Sequence, residues 1–247
     1  MLVPKRWVPL LVSLVLAAQP SLVSALPTSG ESCRVSGRVR VTALGTLRCE
    51  PISGVLRWRQ VVSPAASVVL TCSQGGVCKV GDAGPGGGIV FYIALTPFAS
   101  VGSDCATACR YLEAAPLPNV GELLRTWATG DNQLLVVPGG AVRTAIGGGM
   151  ANTLAIAAQA GNVAESSAAM YAYDYVNGGR SDWHLPSRDE LDDLYFRQSE
   201  VGGFVGGYYW SSTEDDSGHA WDQGFIIGFQ DFTNKSFLNK VRPVRAF

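Results

Sequence analysis

Only two histidines, His184 and His219, stand in the 247-residue chain as candidate bases. His219 is the one with chemical company. Glu214, Asp215, Asp216 and Asp222 lie close to it in sequence, and an imidazole among carboxylates can position a proton or help hold a metal ion. A serine hydrolase would need a serine, one of these two bases and an orienting acid. His184 lies between Trp183 and Leu185 and reads as structural. The acidic run also offers hard oxygen donors suited to calcium, although its spacing matches no EF-hand loop. A polar loop that displays such groups serves recognition as readily as catalysis. The residues expected to carry recognition are Asp215, Asp216, His219, Asp222, Gln223, Asp231, Asn234 and Lys235.

These groups are expected on two neighbouring polar loops, 211–219 and 230–239, with Asp222 and Gln223 in the stretch between them. An aromatic cluster, Tyr208, Tyr209 and Trp210, leads into the first loop, and Trp221, Phe225, Ile227 and Phe229 then alternate at the period of a half-buried strand. Of the rings, Trp210 and Trp221 read as core and Tyr208 as surface. The chain ends on VRPVRAF. Pro243 cannot donate to a central ladder, so this reads as an edge or bulged strand, with Phe247 covered rather than frayed.

Upstream, Ser187 and Glu190 form a capping box that starts a helix at Arg188, with Leu191, Leu194 and Tyr195 on one face. Asn152 is expected to cap a helix over 153–160, and a second helix is expected over 163–176. A further helical stretch is expected over 122–127, and a turn or short helix with a bridge over 105–116. The glycine run of 81–95 (GDAGPGGGIVFYIAL) invites a phosphate-loop reading. It lacks the Gly-Lys-Ser/Thr ending and runs into a strand, so a tight turn is expected instead.

Residues 1–25 read as a signal peptide: Lys5 and Arg6 precede an apolar run, and Val23 and Ala25 mark a cleavage site. No later stretch could span a membrane. With Lys5 and Arg6 gone, 17 basic residues face 20 acidic ones, which gives no general nucleic-acid signal. Arg34, Arg38, Arg40, Arg48, Arg57 and Arg59 make residues 26–79 a small basic β module. Six cysteines in an exported chain imply bridges, and the local pairing is expected: Cys33 with Cys49, Cys72 with Cys78, and Cys105 with Cys109.

Six ordered motifs carry a resemblance: GDAGPGGGIVFY (81–92), RYLEAAP (110–116), the glycine-rich 146–153, DWHLPSRDEL (182–191), YWSSTE (209–214) and VRPVRAF (241–247). Together they resemble the C-terminal domain of bacterial collagen-like (Lcl-type) adhesins, over roughly residues 79–247. The resemblance implies a C-type-lectin-like fold, shared with formylglycine-generating enzymes, in which helices flank a twisted antiparallel sheet and ligand-facing residues sit on loops near the C-terminus. It also implies sulfated-glycosaminoglycan binding, often by trimers. This chain departs from the pattern: it has no collagen repeat and its C-terminal domain is not basic. It has no cysteine after Cys109 for formylglycine-type chemistry, and the calcium-lectin triplets are missing.

The expectation is therefore an α+β protein with a disulfide-stabilised β module at 26–79 and a C-type-lectin-like domain at 80–247. Its expected role is secreted, non-enzymatic binding or adhesion at a bacterial surface, with a glycan or a surface protein as partner. Calcium and self-association are left open. The alternatives are a metal-assisted enzyme built on His219 and a structural envelope protein.

Overall fold

The computed structural model describes residues 27–61, 69–116 and 122–247. The expected leader at 1–25 lies outside them, as do Val62 and Pro64 of the N-terminal module. The chain forms two compact units, the second running from Val69 to Phe247. The boundary thus falls ahead of residue 79. Cys72 and Cys78, assigned above to the N-terminal module, pack with Val90, Tyr111 and Phe247 of the second unit.

In the first unit β1 (Val39–Thr42), β2 (Gly45–Ile52) and β3 (Val55–Gln60) form an antiparallel meander. Ser53 and Gly54 both take positive φ between β2 and β3, as a tight two-residue hairpin turn requires. Among its described residues only Leu47, Cys49 and Trp58 are buried at its centre, with Cys33 and Leu56 beside them. A core this small depends on its staple. The Cys33–Cys49 bridge spans 16 residues, a loop whose closure is worth about 3 kcal/mol. The variant Cys33→Ala/Cys49→Ala should therefore lose amide hydrogen-exchange protection across β1–β3 and keep it in the second unit. Retained protection in β2 and β3 would show that the bridge is dispensable.

The second unit is α+β. In chain order it holds β4 (Ile89–Phe98), β5 (Cys109–Ala114), β6 (Leu124–Arg125), α1 (Gly148–Ala157), α2 (Ala168–Tyr173), α3 (Arg188–Phe196), α4 (Gln198–Val201), β7 (Tyr208–Glu214), β8 (His219–Gly224), β9 (Gln230–Asn234), β10 (Asn239–Lys240) and β11 (Val244–Ala246). One sheet has the order β6-β10-β7-β8-β9, and a smaller one the order β11-β5-β4. All pairings are antiparallel except β10 with β7. Two apolar clusters hold the layers together. Trp127, Ile156, Ala169, Leu185, Trp210 and Ala220 join α1 and α2 to the larger sheet. Phe91, Leu112, Leu194, Tyr209, Phe225 and Val244 join α3 to both sheets.

The capping box is present as read: Ser187 Oγ accepts from Glu190 N–H, and Glu190 accepts from Ser187 N–H. Glu190 does more than cap. It also accepts from Gly147 N–H at 2.8 Å and meets His184 Nε2 at 3.3 Å, so His184 is indeed a buried structural residue. The other helices differ from expectation. Asn152 lies inside α1, where its amide bonds both the N–H and the C=O of Arg143, so it ties a loop instead of starting a helix. Ser167 caps α2, which is much shorter than 163–176. Residues 124–125 are strand β6, because pairing with β10 outweighs weak local helicity, and residues 109–114 are strand β5.

The glycine run does cradle an anion, and the anion is internal. The N–H groups of Gly86 and Gly88 donate to the buried Glu113 carboxylate at 2.9 Å each. A Cβ at Gly84 or Gly86 would meet the same carboxylate at 2.4 or 2.6 Å, which is why no larger residue fits. Glu113 in turn pairs with the buried Arg245, which also binds Asp182. The C-terminal strand is therefore tied by charge as well as by its ladder. β11 is an edge strand after Pro243, and Phe247 lies against Tyr111 with ring centroids 5.2 Å apart.

Candidate functional site

The β7–β8 connection is a turn, residues 215–218, organised by Asp216. Its Oδ1 accepts from Gly218 N–H at 2.7 Å, from His219 N–H at 2.8 Å, and meets His219 Nδ1 at 2.9 Å. These bonds, the Gly218 amide foremost, hold the Asp216 carboxyl below its ordinary range. Asp216 therefore acts locally as the cap of the turn, and the imidazole is held at its edge against Phe232. Asp215 is exposed in the same turn.

The second expected loop, 230–239, is mostly strand. Residues 230–234 form β9, because the apolar alternation over 221–229 breaks at Gly224. Phe225 is buried while Ile226, Ile227 and Phe229 project from the β8–β9 turn, where Gly228 takes positive φ. Lys235 is a correction of a different kind. Expected as a surface contact, it is fully buried. Its Nζ donates to Glu214 Oε1 at 2.7 Å, to Leu135 O at 2.9 Å and to Ser217 O at 2.9 Å, and it lies 4.8 Å from the centre of the Trp127 ring. All three ammonium protons are thereby used inside the fold. Gln223 is also buried and structural, donating to Asp192 Oδ1 at 2.7 Å. Asn234 is exposed opposite His219 at the far end of β9.

Asp222 and Asp231 remain, and the β8–β9 register sets them directly opposite one another. Their side chains therefore leave the same face of the sheet, an arrangement that costs stability between like charges. Tyr208, two residues from Asp222's partner on β7, shares that face. Together with Thr233, Phe237 and Asn239 these residues line a cavity of about 250 Å³, which Phe232 also borders with its ring turned towards Trp221 and His219. Asp222 is 3% exposed. Its Oδ2 accepts from Asn239 Nδ2 at 2.7 Å, while its Oδ1 has no hydrogen-bond partner. Burial pushes the Asp222 carboxyl up to about 7; the Asn239 bond opposes the rise and Asp231 adds to it. A buried carboxylate with an unpaired oxygen in the lining of a cavity is a costly arrangement that a hydrogen-bond donor entering the cavity would relieve.

Sequence reasoning included Asp222 and Asp231 and recognised Tyr208 as a surface ring, but missed Phe237 and Asn239. Phe237 and Asn239 belong to the turn and strand after β9, and only the parallel β10–β7 pairing brings Asn239 beside Asp222. A hairpin centred on 226–227 would have signalled the pairing of 222 with 231. Among the described residues, no group of three or more His, Cys, Asp or Glu side chains forms a metal-binding cluster. A hollow of about 200 Å³ in the first unit is lined by Pro27, Thr42, Leu44 and Leu47, among others, and by no charged side chain.

An α+β domain with a helix-backed, five-stranded sheet, closed by a C-terminal strand tied through a buried arginine, is the class that fold and site define. Residues 126–245 match the Lcl C-terminal domain family. The match takes in α1–α4 and β7–β10 with most of β11, whereas β4 and β5, which complete the smaller sheet, precede it. A comparison with curated proteins finds no match.

Proposed function

We propose that the protein is a secreted, non-enzymatic binding or adhesion protein of a bacterial surface. Its second unit recognises a polar ligand, a glycan or the polar face of a surface protein, at the β7–β8–β9 face. The observation that carries this reading is the buried Asp222 carboxylate, its Oδ1 without a partner, in the lining of a cavity edged by the exposed rings of Tyr208 and Phe237. Aromatic walls over an unpaired acceptor suit a ligand with one apolar and one hydrogen-bonding side. Three disulfides suit an oxidising, extracytoplasmic setting, and no helix among the described residues is long and apolar enough to cross a membrane. The Lcl C-terminal domain accords with a surface role.

The test is a glycan and surface-protein array probed with and without calcium. A partner found for the wild type should bind at least about tenfold more weakly to Tyr208→Ala/Asp231→Asn, a loss of about 1.4 kcal/mol. Both positions are exposed, so the fold should be kept. Unchanged binding by this variant would place recognition elsewhere on the protein.

A further inference from the structure

Three buried polar atoms in the described residues lack a hydrogen-bond partner: Trp183 Nε1, His184 Nδ1 and Asp222 Oδ1. Of these, Asp222 lines the cavity on the larger sheet. Two lone pairs of an acceptor buried to 97% and left open are costly unless something occupies them. The chemistry around the atom restricts what that occupant can be. Asp231 stands opposite on β9, Asn239 already gives a proton to Oδ2 from β10, and the ring of Tyr208 flanks from β7. No lysine or arginine lines the cavity. Its field is therefore negative, which repels sulfate or carboxylate ligands and attracts a cation.

Two kinds of cation present themselves. A calcium ion needs six to eight oxygen ligands at short range, whereas this cavity offers two carboxylates, one partly engaged by Asn239 and the other by the Phe232 N–H, and walls that include the rings of Tyr208 and Phe237. An ammonium group needs only acceptors for its N–H bonds and gains from aromatic faces beside it. An apolar stem would lie along Phe237, which is 55% exposed at the rim.

We infer that this cavity binds a protonated primary amine carried on an apolar stem, with the Asp222 carboxylate accepting an N–H bond and Asp231 completing the charge. A lysine side chain displayed by a partner protein has this chemistry. The inference rests on the reading that the β7–β8–β9 face is the binding surface, and it narrows the ligand to a cationic one.

The experiment titrates n-butylammonium chloride and Nα-acetyl-lysine amide into the full-length protein at pH 8, following the backbone amides of Asp231, Thr233 and Asn239 by NMR. n-Butanol, N-acetylglucosamine and calcium chloride are the comparison probes. Saturable shifts are expected with both amines, weakened roughly tenfold or more in Asp222→Asn and unchanged in Asp216→Asn, whose carboxylate belongs to the separate turn. The spectrum of Asp222→Asn itself reports whether the fold is kept. n-Butanol binding as well as butylammonium would overturn the inference, because the charge would then contribute nothing. Saturation by calcium with displacement of the amine would replace it with a metal site. Saturation by the sugar alone would overturn the ammonium inference and leave the binding surface standing. If no probe moves these amides, the inference falls. The array result for Tyr208→Ala/Asp231→Asn then decides separately whether the surface reading falls with it.

Discussion

Asp222→Asn is expected to make the protein more stable at pH 8 and to leave it nearly unchanged at pH 4. The Asp222 carboxyl sits at about 7 in the fold, raised first by burial, against roughly 3.9 in an unfolded chain. Between those values the unfolded chain has released the proton and the folded one still holds it. The unfolded state thus binds fewer protons, and wild-type stability falls as pH rises from about 4 to 7, then levels off. Asparagine does not titrate. It can keep an oxygen for the Asn239 donor while removing a charge that faces Asp231. The difference should grow across that window to about 4 kcal/mol at most, or roughly 10 °C in melting temperature for a chain of this size. Thermal unfolding at pH 4 and pH 8 is the measurement. An equal shift at both values, or a loss at pH 8, would mean that Asp222 is not held against its solvation. A variant that is more stable but binds its ligand less well would be the signature of a site kept at the expense of stability.

The second large effect lies at Lys235. Both members of its pair with Glu214 are sealed from water, with side-chain exposures of 0% and 1%. Lys235→Met removes the cation and leaves a buried carboxylate facing only the Val137 N–H, and the carbonyls of Leu135 and Ser217 lose their donor. A loss of about 3–5 kcal/mol is expected, since breaking a buried pair strands its partner. Adding Glu214→Gln removes the stranded charge, so the double variant should unfold at a higher denaturant concentration than Lys235→Met alone. Urea unfolding of the two variants and the wild type settles this. A single-variant loss below about 1 kcal/mol would mean that water reaches the pair. The pair also ties the loop around 135–137 to the β7–β8 turn, so the same variant should raise hydrogen exchange at Val137.

Where a signal was local, it could be read along the chain. The Ser187–Glu190 box depends on residues three apart, and the three cysteine pairs close short loops of 16, 6 and 4 residues. His184 was legible as structural from its two apolar neighbours, Trp183 and Leu185, and all three are fully buried. The failures arose where a distant segment decided the outcome. Leu124 and Arg125 had weak helical character and became strand because β10 lay beside them. The buried role of Lys235 was hidden because its three acceptors come from Glu214, Leu135 and Ser217, up to 100 residues away. The glycine run was rightly separated from phosphate binding, yet its actual anion, Glu113, lies 25 to 27 residues downstream.

Acting alone, the order of residues determined the α+β class, the bridges, the start of α3 and the set of polar groups from which a site had to be drawn. Helix caps, short loops and alternation are properties of neighbouring residues, so they survive in one dimension. The folded structure decided which of those polar groups meet. Asp222 and Asp231 become a facing pair only through the β8–β9 register, and Asn239 joins them only because β10 runs parallel to β7. Lys235 is withdrawn from the surface by a partner on another strand. Whether a charge is buried, paired or left open depends on desolvation and on atoms brought close by strand pairing, and neither is a property of sequence neighbours.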